Sequence, residues 1–354
     1  NGCTVRVMKD KTKTTLKIIA IYIIAIAFAG FNVWAVTRIY DDLITIYFAI
    51  GGLAATWIFS AVAHETGHLI FAKSAGFRVV KFSVLCFVFD DTKSKKFSLK
   101  LNRNDLGECI FIPKKVSETD GDNAQKFTNV ALGGLIGSVI TIIGYVIAFA
   151  FVKNAYGRAF FACFPLPLAV FVINGVKGVI KGSDIDVASV VRSYANTLAL
   201  DGYLNILCEL KNGKTYAEID EKYFDGKCSL AQVNAALNLF KIRREEELGN
   251  YENETSLAEK TLDNGMNDLE TKAEIASIGY NAGVSELIEK CGYVAGYLDL
   301  SDEPFACRLR LERAKYVGDD KYIEVAKNSA LKRCDECYFP GDGKFHKKLI
   351  ERLL

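Results

Sequence analysis

Residues 43–72 read LITIYFAIGGLAATWIFSAVAHETGHLIFA, an unbroken apolar run that ends in a short polar motif. A bilayer-spanning helix needs about 20 mostly apolar residues, so this run is long enough to cross a membrane. Two of the chain's three histidines, His64 and His68, lie within it. Side chains four residues apart share one face of a helix. Because ionisable groups inside a membrane helix are costly, they indicate a functional site.

The spacing His64-Glu65-x-x-His68 is the zinc-binding HExxH pattern. Its two imidazoles can hold a zinc ion from one helix face, and the glutamate between them can act as a general base on water. The alternative is a pair of polar packing residues that match the pattern by chance. We favour the chemical interpretation, which predicts a metalloprotease with its active site inside the bilayer.

The hydropathy pattern predicts four membrane spans, at about 16–36, 43–72, 127–152 and 159–180. A basic segment precedes the first run, as in a signal peptide, but the apolar stretch is too long for a signal core, so we expect a retained span. The fourth run contains Pro165 and Pro167 and several glycines. A broken helix is therefore expected there, which membranes tolerate where the helix lines a cavity.

Charge sets the expected orientation and excludes one class of partner. Lysine and arginine are frequent before the first span and between the second and third, whereas Arg38 alone follows the first. The positive-inside rule then predicts a multi-pass cell-membrane protein with its N- and C-termini in the cytoplasm. A net charge of +2, without a basic block interleaved with aromatic residues, gives no indication of nucleic-acid binding. Ten irregularly spaced cysteines favour reduced thiols over a disulfide framework.

The remaining segments predict three domains: 1–42 with the first span, a core at 43–186, and a C-terminal domain at 187–354. Short β-rich pieces across 77–112 predict a small sheet at the membrane surface, with a disordered basic loop as the alternative. The C-terminal domain is expected to be soluble and all-α, and its short helices suggest a helical repeat, although no clean repeat period is found. Four capping-box patterns suggest helix starts, at Thr215, Ser229, Ser256 and Thr271.

A catalytic zinc usually takes three protein ligands, so a third is needed beside the two histidines. His346 is a poor candidate because it lies in the C-terminal domain. Asp184 and Asp186 follow the fourth span, on the side of the membrane expected for His64. Helix N-capping is the competing explanation for both aspartates. Cys334 and Cys337, with His346, invite a second metal site, but a fourth ligand is missing at the usual spacing and reduced thiols are favoured.

The HETGH motif, with the apolar residues after it and then Gly76 and a strand, resembles the signature of the site-2 protease family of intramembrane zinc metalloproteases. Gly133, Gly134 and Ser138 resemble the glycine-rich motif of that family's third core segment. On their own, these glycines are more readily explained by helix packing. The resemblance covers about residues 43–190.

The resemblance implies that His64, His68 and Asp184 hold Zn²⁺ and that Glu65 is the general base. Asn174 is implied to bind substrate backbone or to stabilise developing charge. Ile185 stands where the family usually has glycine after the ligand aspartate, so Asp186 stays the fallback ligand. The expected substrate is a membrane-anchored protein or peptide, such as an anti-sigma factor, a signal-peptide remnant or a peptide precursor.

Two other functions compete with this one. An inactive family member could serve as a membrane-anchored scaffold whose C-terminal helices bind a protein partner, and such a scaffold need hold no zinc. A zinc peptidase acting on prenylated tails would require a second glutamate on a later membrane helix, and the sequence has none in the third or fourth predicted span.

Overall fold

The computed structural model describes residues 2–40, 43–84, 87–91, 96–99, 107–177, 179, 183–263, 269–299 and 301–353. The chain forms two compact units. The membrane unit comprises residues 1–112 and 125–191, and the helical unit comprises residues 113–124 and 192–354. The expected division at residues 42 and 186 stays a prediction.

Long apolar helices form the membrane unit, and four are long and apolar enough to cross a bilayer: Thr14–Arg38, Ile44–Ser74, Asp122–Phe151 and Ala155–Gly175. The four predicted spans are thereby confirmed as candidates. The helices of this unit are α1 (Gly2–Tyr40), α2 (Leu43–Ser74), α3 (Asp122–Phe151), α4 (Ala155–Phe161), α5 (Pro165–Gly175) and α6 (Asp184–Ser189).

The fourth span is broken, as its prolines and glycines predicted. Helix α4 ends at Phe161, and α5 begins at Pro165. Proline lacks the N–H that would continue the helical hydrogen bonds, and its fixed φ suits the first turn of a new helix. The interruption therefore follows directly from the position of Pro165.

Helices α2 and α3 pack with their backbones almost in contact. A Cβ added to Gly67 on α2 would overlap the Gly133 carbonyl of α3, and one added to Gly137 would overlap the Ala63 carbonyl. Small residues permit such close approach between membrane helices. These glycines set the distance between the helix that carries the HExxH motif and its neighbour.

A four-stranded sheet follows α2, which confirms the predicted β element. Gly76 ends the helix with a φ of +79°, a conformation that glycine adopts without strain. The strand order is β3-β2-β1-β4, with β1 antiparallel to β2 and β2 antiparallel to β3. The strands are β1 (Phe77–Val84), β2 (Phe87–Asp90), β3 (Phe97–Leu99) and β4 (Gly107–Pro113).

The helical unit is built from short helices around apolar cores. One core contains Ile242, Ala276, Ile278 and Leu309. Whether these helices form a soluble repeat array stays a prediction. The helices are α7 (Tyr194–Lys211), α8 (Ala231–Leu248), α9 (Tyr251–Asp263), α10 (Leu269–Ala282), α11 (Ser285–Cys291), α12 (Val294–Tyr297), α13 (Pro304–Val317), α14 (Asp320–Asp335) and α15 (Pro340–Leu353).

Only one of the four predicted capping boxes is a capping box in the structure. Thr215 and Glu218 form it at the start of a short 3-10 turn, Tyr216–Glu218. Helix α8 begins after Leu230 rather than at Ser229. Ser256 and Thr271 lie inside α9 and α10, so both predictions are wrong. The pattern alone misleads because only residues at a helix start have unpaired N–H groups to cap.

A buried polar cluster joins the 113–124 segment to α7 within the helical unit. The Asp201 carboxylate accepts hydrogen bonds from Ser117 Oγ at 2.8 Å and from the Ala124 N–H at 3.2 Å. The Asn205 side-chain oxygen accepts from the Ser117 N–H and from Asn123 Nδ2, both at 3.0 Å. Among these contacts, the bond from the Ala124 N–H gives a partner to one backbone donor of a helix start, which would otherwise lack one.

Candidate metal centre

Helix α2 presents the two histidines of the HExxH motif side by side. His64 and His68 are 6% and 8% exposed, and their ring centroids lie 4.9 Å apart with the ring planes nearly perpendicular. The four-residue spacing produces this pairing because one helical turn takes 3.6 residues. Both imidazoles are thus buried neighbours on one face of a candidate membrane span.

Helix α3 contacts one nitrogen of each imidazole. His68 Nδ1 lies 2.8 Å from the Val130 carbonyl, and His64 Nδ1 lies 2.9 Å from Ser138 Oγ. A carbonyl only accepts hydrogen bonds, so His68 donates from Nδ1, and in its neutral form the lone pair is on Nε2. Such hydrogen bonds to the remote nitrogen orient metal-binding histidines.

The Asp184 carboxylate lies at the Nε2 atoms of both histidines. Its Oδ2 is 3.2 Å from His64 Nε2, and its Oδ1 is 3.5 Å from His68 Nε2. Ser183 occupies the N-cap position of α6, so Asp184 is the first helical residue rather than the cap. Within the described residues, Asp184 Oδ2 is buried without a hydrogen-bond partner.

The chemistry and spacing of these three groups fit zinc. Ligand atoms at about 2.0–2.1 Å from a tetrahedral zinc ion lie roughly 3.3 Å from one another. The two carboxylate–imidazole distances are close to this value, and the three ligand atoms all lie within 4.8 Å of one another. In the described part of the chain, this is the one cluster of three or more His, Cys, Asp or Glu residues arranged in this way.

Gly134 lies directly against the histidine rings. A Cβ at this position would overlap the His68 ring and would come within 3.0 Å of His64 Cε1. The glycine-rich stretch of α3 therefore contacts the two imidazoles in addition to packing against the backbone of α2. Gly134 leaves the space that the two rings occupy.

The other predicted site residues have separate surroundings. Glu65 is half-buried on α2. Asn174 on α5 is half-buried, and its Nδ2 donates to the Val170 carbonyl at 3.1 Å. Asp186 is half-buried on α6 and does not belong to the three-residue cluster. The proposed roles of these residues are not decided by their positions.

The cysteine pair and His346 lie in the helical unit. Cys334 and Cys337 are free thiols, and burial raises the pKa of each to about 12. His346 is fully buried, with Nε2 3.6 Å from Asp342 Oδ1. Burial lowers the pKa of His346 well below its usual value, and the nearby Arg308 and Arg243 guanidinium groups lower it further.

Sequence reasoning missed two contacts to the imidazoles. The Val130 carbonyl belongs to the backbone, so no residue type signals it. The sequence signals Ser138 only through the resemblance to a family motif, although its spacing of four residues from Gly134 places both on one face of α3.

The fold and the site together define a membrane protein with four candidate spans and a candidate histidine–aspartate metal centre. The chain belongs to Peptidase family M50, whose sequence model matches residues 52–297. This family is the site-2 protease family that the sequence resembles, and the match extends into the helical unit. Comparison with curated proteins and with solved structures found no match. Membership in this family of zinc-dependent membrane metalloproteases supports a protease function.

Proposed function

We propose that the chain is an intramembrane zinc metalloprotease that hydrolyses a peptide bond in a membrane-anchored substrate. His64, His68 and Asp184 would hold Zn²⁺. The observation that carries the proposal is the convergence of two Nε2 atoms and the half-buried Asp184 carboxylate, which lies 3.2 Å from His64 Nε2 and 3.5 Å from His68 Nε2. A pair of histidines used only for helix packing would not need an aspartate at that position.

When bound, zinc would act as a Lewis acid that activates water as a nucleophile at neutral pH and stabilises the negative charge that develops on the carbonyl oxygen of the scissile peptide bond. Glu65 is the proposed general base: it accepts a proton from the attacking water and passes that proton to the leaving amine. The hydrogen bonds at Val130 and Ser138 fix the ring orientations of His68 and His64. Each residue of this set has one defined task.

Asn174 is proposed to bind substrate backbone or to stabilise developing negative charge. Its amide has two N–H donors and one acceptor oxygen, and one donor is engaged by the Val170 carbonyl. A side chain anchored in this way still has capacity for a substrate carbonyl. Asn174→Ala should then lower cleavage while the zinc content stays unchanged.

The substrate must be extended before it can be cut, because a helix engages its own carbonyls in hydrogen bonds. The outer strands of the sheet, β3 and β4, offer edges to which an extended segment could add as a further strand. Leu99 in β3 is exposed, and the β2–β3 register turns its N–H away from β2, so proline at Leu99 would weaken such pairing. Unchanged cleavage by Leu99→Pro would argue against β3 as the substrate-binding edge.

Anti-sigma factors, signal-peptide remnants and peptide precursors are the proposed substrate classes, since each is anchored in a membrane. The N- and C-termini are proposed to lie in the cytoplasm, in line with the loop charges. The C-terminal helices would then recruit a substrate or a regulator on that side.

Zinc stoichiometry in detergent tests the proposal without knowledge of the substrate. We expect about one zinc ion per wild-type chain, loss of zinc in Asp184→Ala, and retention in Glu65→Ala, because Glu65 is not a proposed ligand. Asp186→Ala is the matched control at the neighbouring aspartate and should also retain zinc. Loss in Asp186→Ala but not in Asp184→Ala would transfer the ligand role to Asp186.

The same measurement separates the protease from the inactive scaffold. A well-folded wild-type chain that binds no zinc would refute the protease proposal and favour the scaffold. Zinc binding combined with loss of cleavage in Glu65→Gln would support the full mechanism.

A further inference from the structure

A cavity of about 380 Å³ lies within the helical unit, remote in sequence from the metal ligands. Exposed residues, among them Tyr251 and Arg352, form its rim. Ile278 and Leu349 provide buried apolar wall, and Glu246 and Glu254 are buried acidic residues that line it. The cavity thus combines an open rim, an apolar wall and buried carboxylates.

Glu254 is the unusual member of this lining. It is only 3% exposed. Within the described residues, its carboxylate has no hydrogen-bond partner and forms no ion pair; only its backbone N–H bonds, to the Asn250 carbonyl. Its oxygens are not among the fully buried side-chain atoms that lack a partner, so they keep surface that is open to the cavity. Glu254 therefore presents an unpartnered carboxylate to the cavity.

The nearby cation is already shared by other carboxylates. The Arg308 guanidinium lies 3.2 Å from Glu246 and 3.4 Å from Glu312, and it also contacts Glu274. Glu254 is thus an additional carboxylate in an acidic surrounding. The pKa of Glu254 is raised to about 8, chiefly by burial; Glu246, Glu312 and Glu245 contribute to the rise, whereas Arg308 opposes it.

We propose that this cavity binds an alkylammonium or alkylguanidinium group, with the cationic head at Glu254 and the apolar stem along Ile278 and Leu349. Lysine and arginine side chains have this form, an apolar stem that ends in a charged head. A metal ion fits less well, because these carboxylates do not form a converging cluster among the described residues. The cation can come from a free amine or from a basic side chain of a partner polypeptide.

Titration calorimetry with the full chain in detergent micelles tests the proposal at pH 7. The two cationic probes are Nα-acetyl-lysine N-methylamide, which keeps its ε-ammonium group, and n-butylamine. The uncharged counterpart is Nα-acetyl-norleucine N-methylamide. We expect the two cationic probes to bind and the norleucine probe to bind at least tenfold more weakly. Tighter binding of the lysine probe than of n-butylamine points to a polypeptide source, and equal binding points to a free amine.

Proton release gives a second signature of Glu254. A cation placed beside the carboxylate favours its ionised form, so binding at pH 7 should release protons. Calorimetry in two buffers of different ionisation enthalpy measures that release. The release should disappear in Glu254→Gln, which keeps the shape of the side chain but cannot ionise.

Affinity in matched variants decides the outcome. Glu254→Gln should weaken the lysine probe at least tenfold, whereas Glu252→Gln, an exposed glutamate on the same helix, should leave its affinity unchanged. Thr255→Leu narrows the cavity without changing its charge and should also weaken binding.

Thermal unfolding midpoints check that each variant is folded. If Glu254→Gln does not fold, the affinity of Thr255→Leu for the lysine probe decides whether the cavity binds it. Absence of binding to the wild type, or full affinity in a folded Glu254→Gln or Thr255→Leu, would overturn the proposal. None of these substitutions changes a proposed zinc ligand, so measurements of zinc content test the metal-site proposal separately.

Discussion

Replacing Gly134 with alanine tests whether α3 fixes the geometry of the candidate metal centre. The added Cβ would overlap the His68 ring and would stand 3.0 Å from His64 Cε1. Carbon atoms pack best at about 3.5–4.0 Å, so the His68 ring or the α3 backbone must move by roughly 1 Å. Such a movement is resisted, because the hydrogen bond between His68 Nδ1 and the Val130 carbonyl holds the His68 ring against α3.

The expected effect on zinc affinity follows from this overlap. Forcing extra methyl groups into a packed site costs about 1–3 kcal/mol. If that strain falls mainly on the zinc-bound state, a factor of ten for each 1.4 kcal/mol gives a roughly 5- to 150-fold weaker zinc Kd. Competition with a chromophoric chelator in detergent measures this Kd.

Gly144→Ala is the matched control for Gly134→Ala. Gly144 lies on the same helix, and a Cβ there would meet no atom within 4 Å. Both substitutions raise the helix propensity of α3 equally, so a difference between them reports the contact with the histidines. A folded Gly134→Ala chain with the zinc Kd of Gly144→Ala would refute the placement of α3 against the two rings.

Three further outcomes are expected. Ser138→Ala removes the hydroxyl 2.9 Å from His64 Nδ1 and should weaken zinc binding by about 10- to 100-fold in the same competition assay; an unchanged Kd would mean that this hydroxyl does not orient the ring. Glu65→Gln should keep zinc yet lower the cleavage rate of a reconstituted membrane-anchored substrate by about 10²- to 10⁴-fold, and a variant that cuts at the wild-type rate would remove Glu65 from the mechanism. The pKa of Glu254 is raised from 4.5 to about 8, so between those values the folded chain holds a proton that the unfolded chain releases. Stability should therefore fall as pH rises through that window, by up to about 1.4 kcal/mol per pH unit. Thermal midpoints from pH 5 to 8 should fall less in Glu254→Gln than in the wild type, and parallel curves would contradict the raised pKa.

Local patterns in the sequence predicted most of the membrane unit. Length and hydropathy are enough for a span because a bilayer imposes a fixed minimum of apolar residues. The break before Pro165 and the turn at Gly76 depend on the backbone chemistry of single residues. The pairing of His64 and His68 required only that their segment be helical.

Contacts between distant segments could not be predicted in the same way. Asp201 and Asn205 are polar residues within an otherwise apolar stretch of α7, yet nothing in that stretch names Ser117 or Asn123 as their partners. The capping boxes failed for a related reason. A Ser/Thr-x-x-Glu pattern occurs on any polar helix surface, and only the position of the helix start gives it meaning.

Helix α3 explains why a backbone carbonyl can take part in the candidate site. Gly133 and Gly137 share one face and contact the backbone of α2, whereas Gly134 and Ser138 share the adjacent face with Val130 and point to the imidazoles. The first face brings the two helices close enough for residues of the second face to contact the imidazoles. A carbonyl projects little beyond the helix surface, so larger side chains at the two packing glycines would move the Val130 oxygen out of hydrogen-bond range of His68. The glycines of α3 therefore contribute to the candidate metal centre through distance alone, without presenting a ligand.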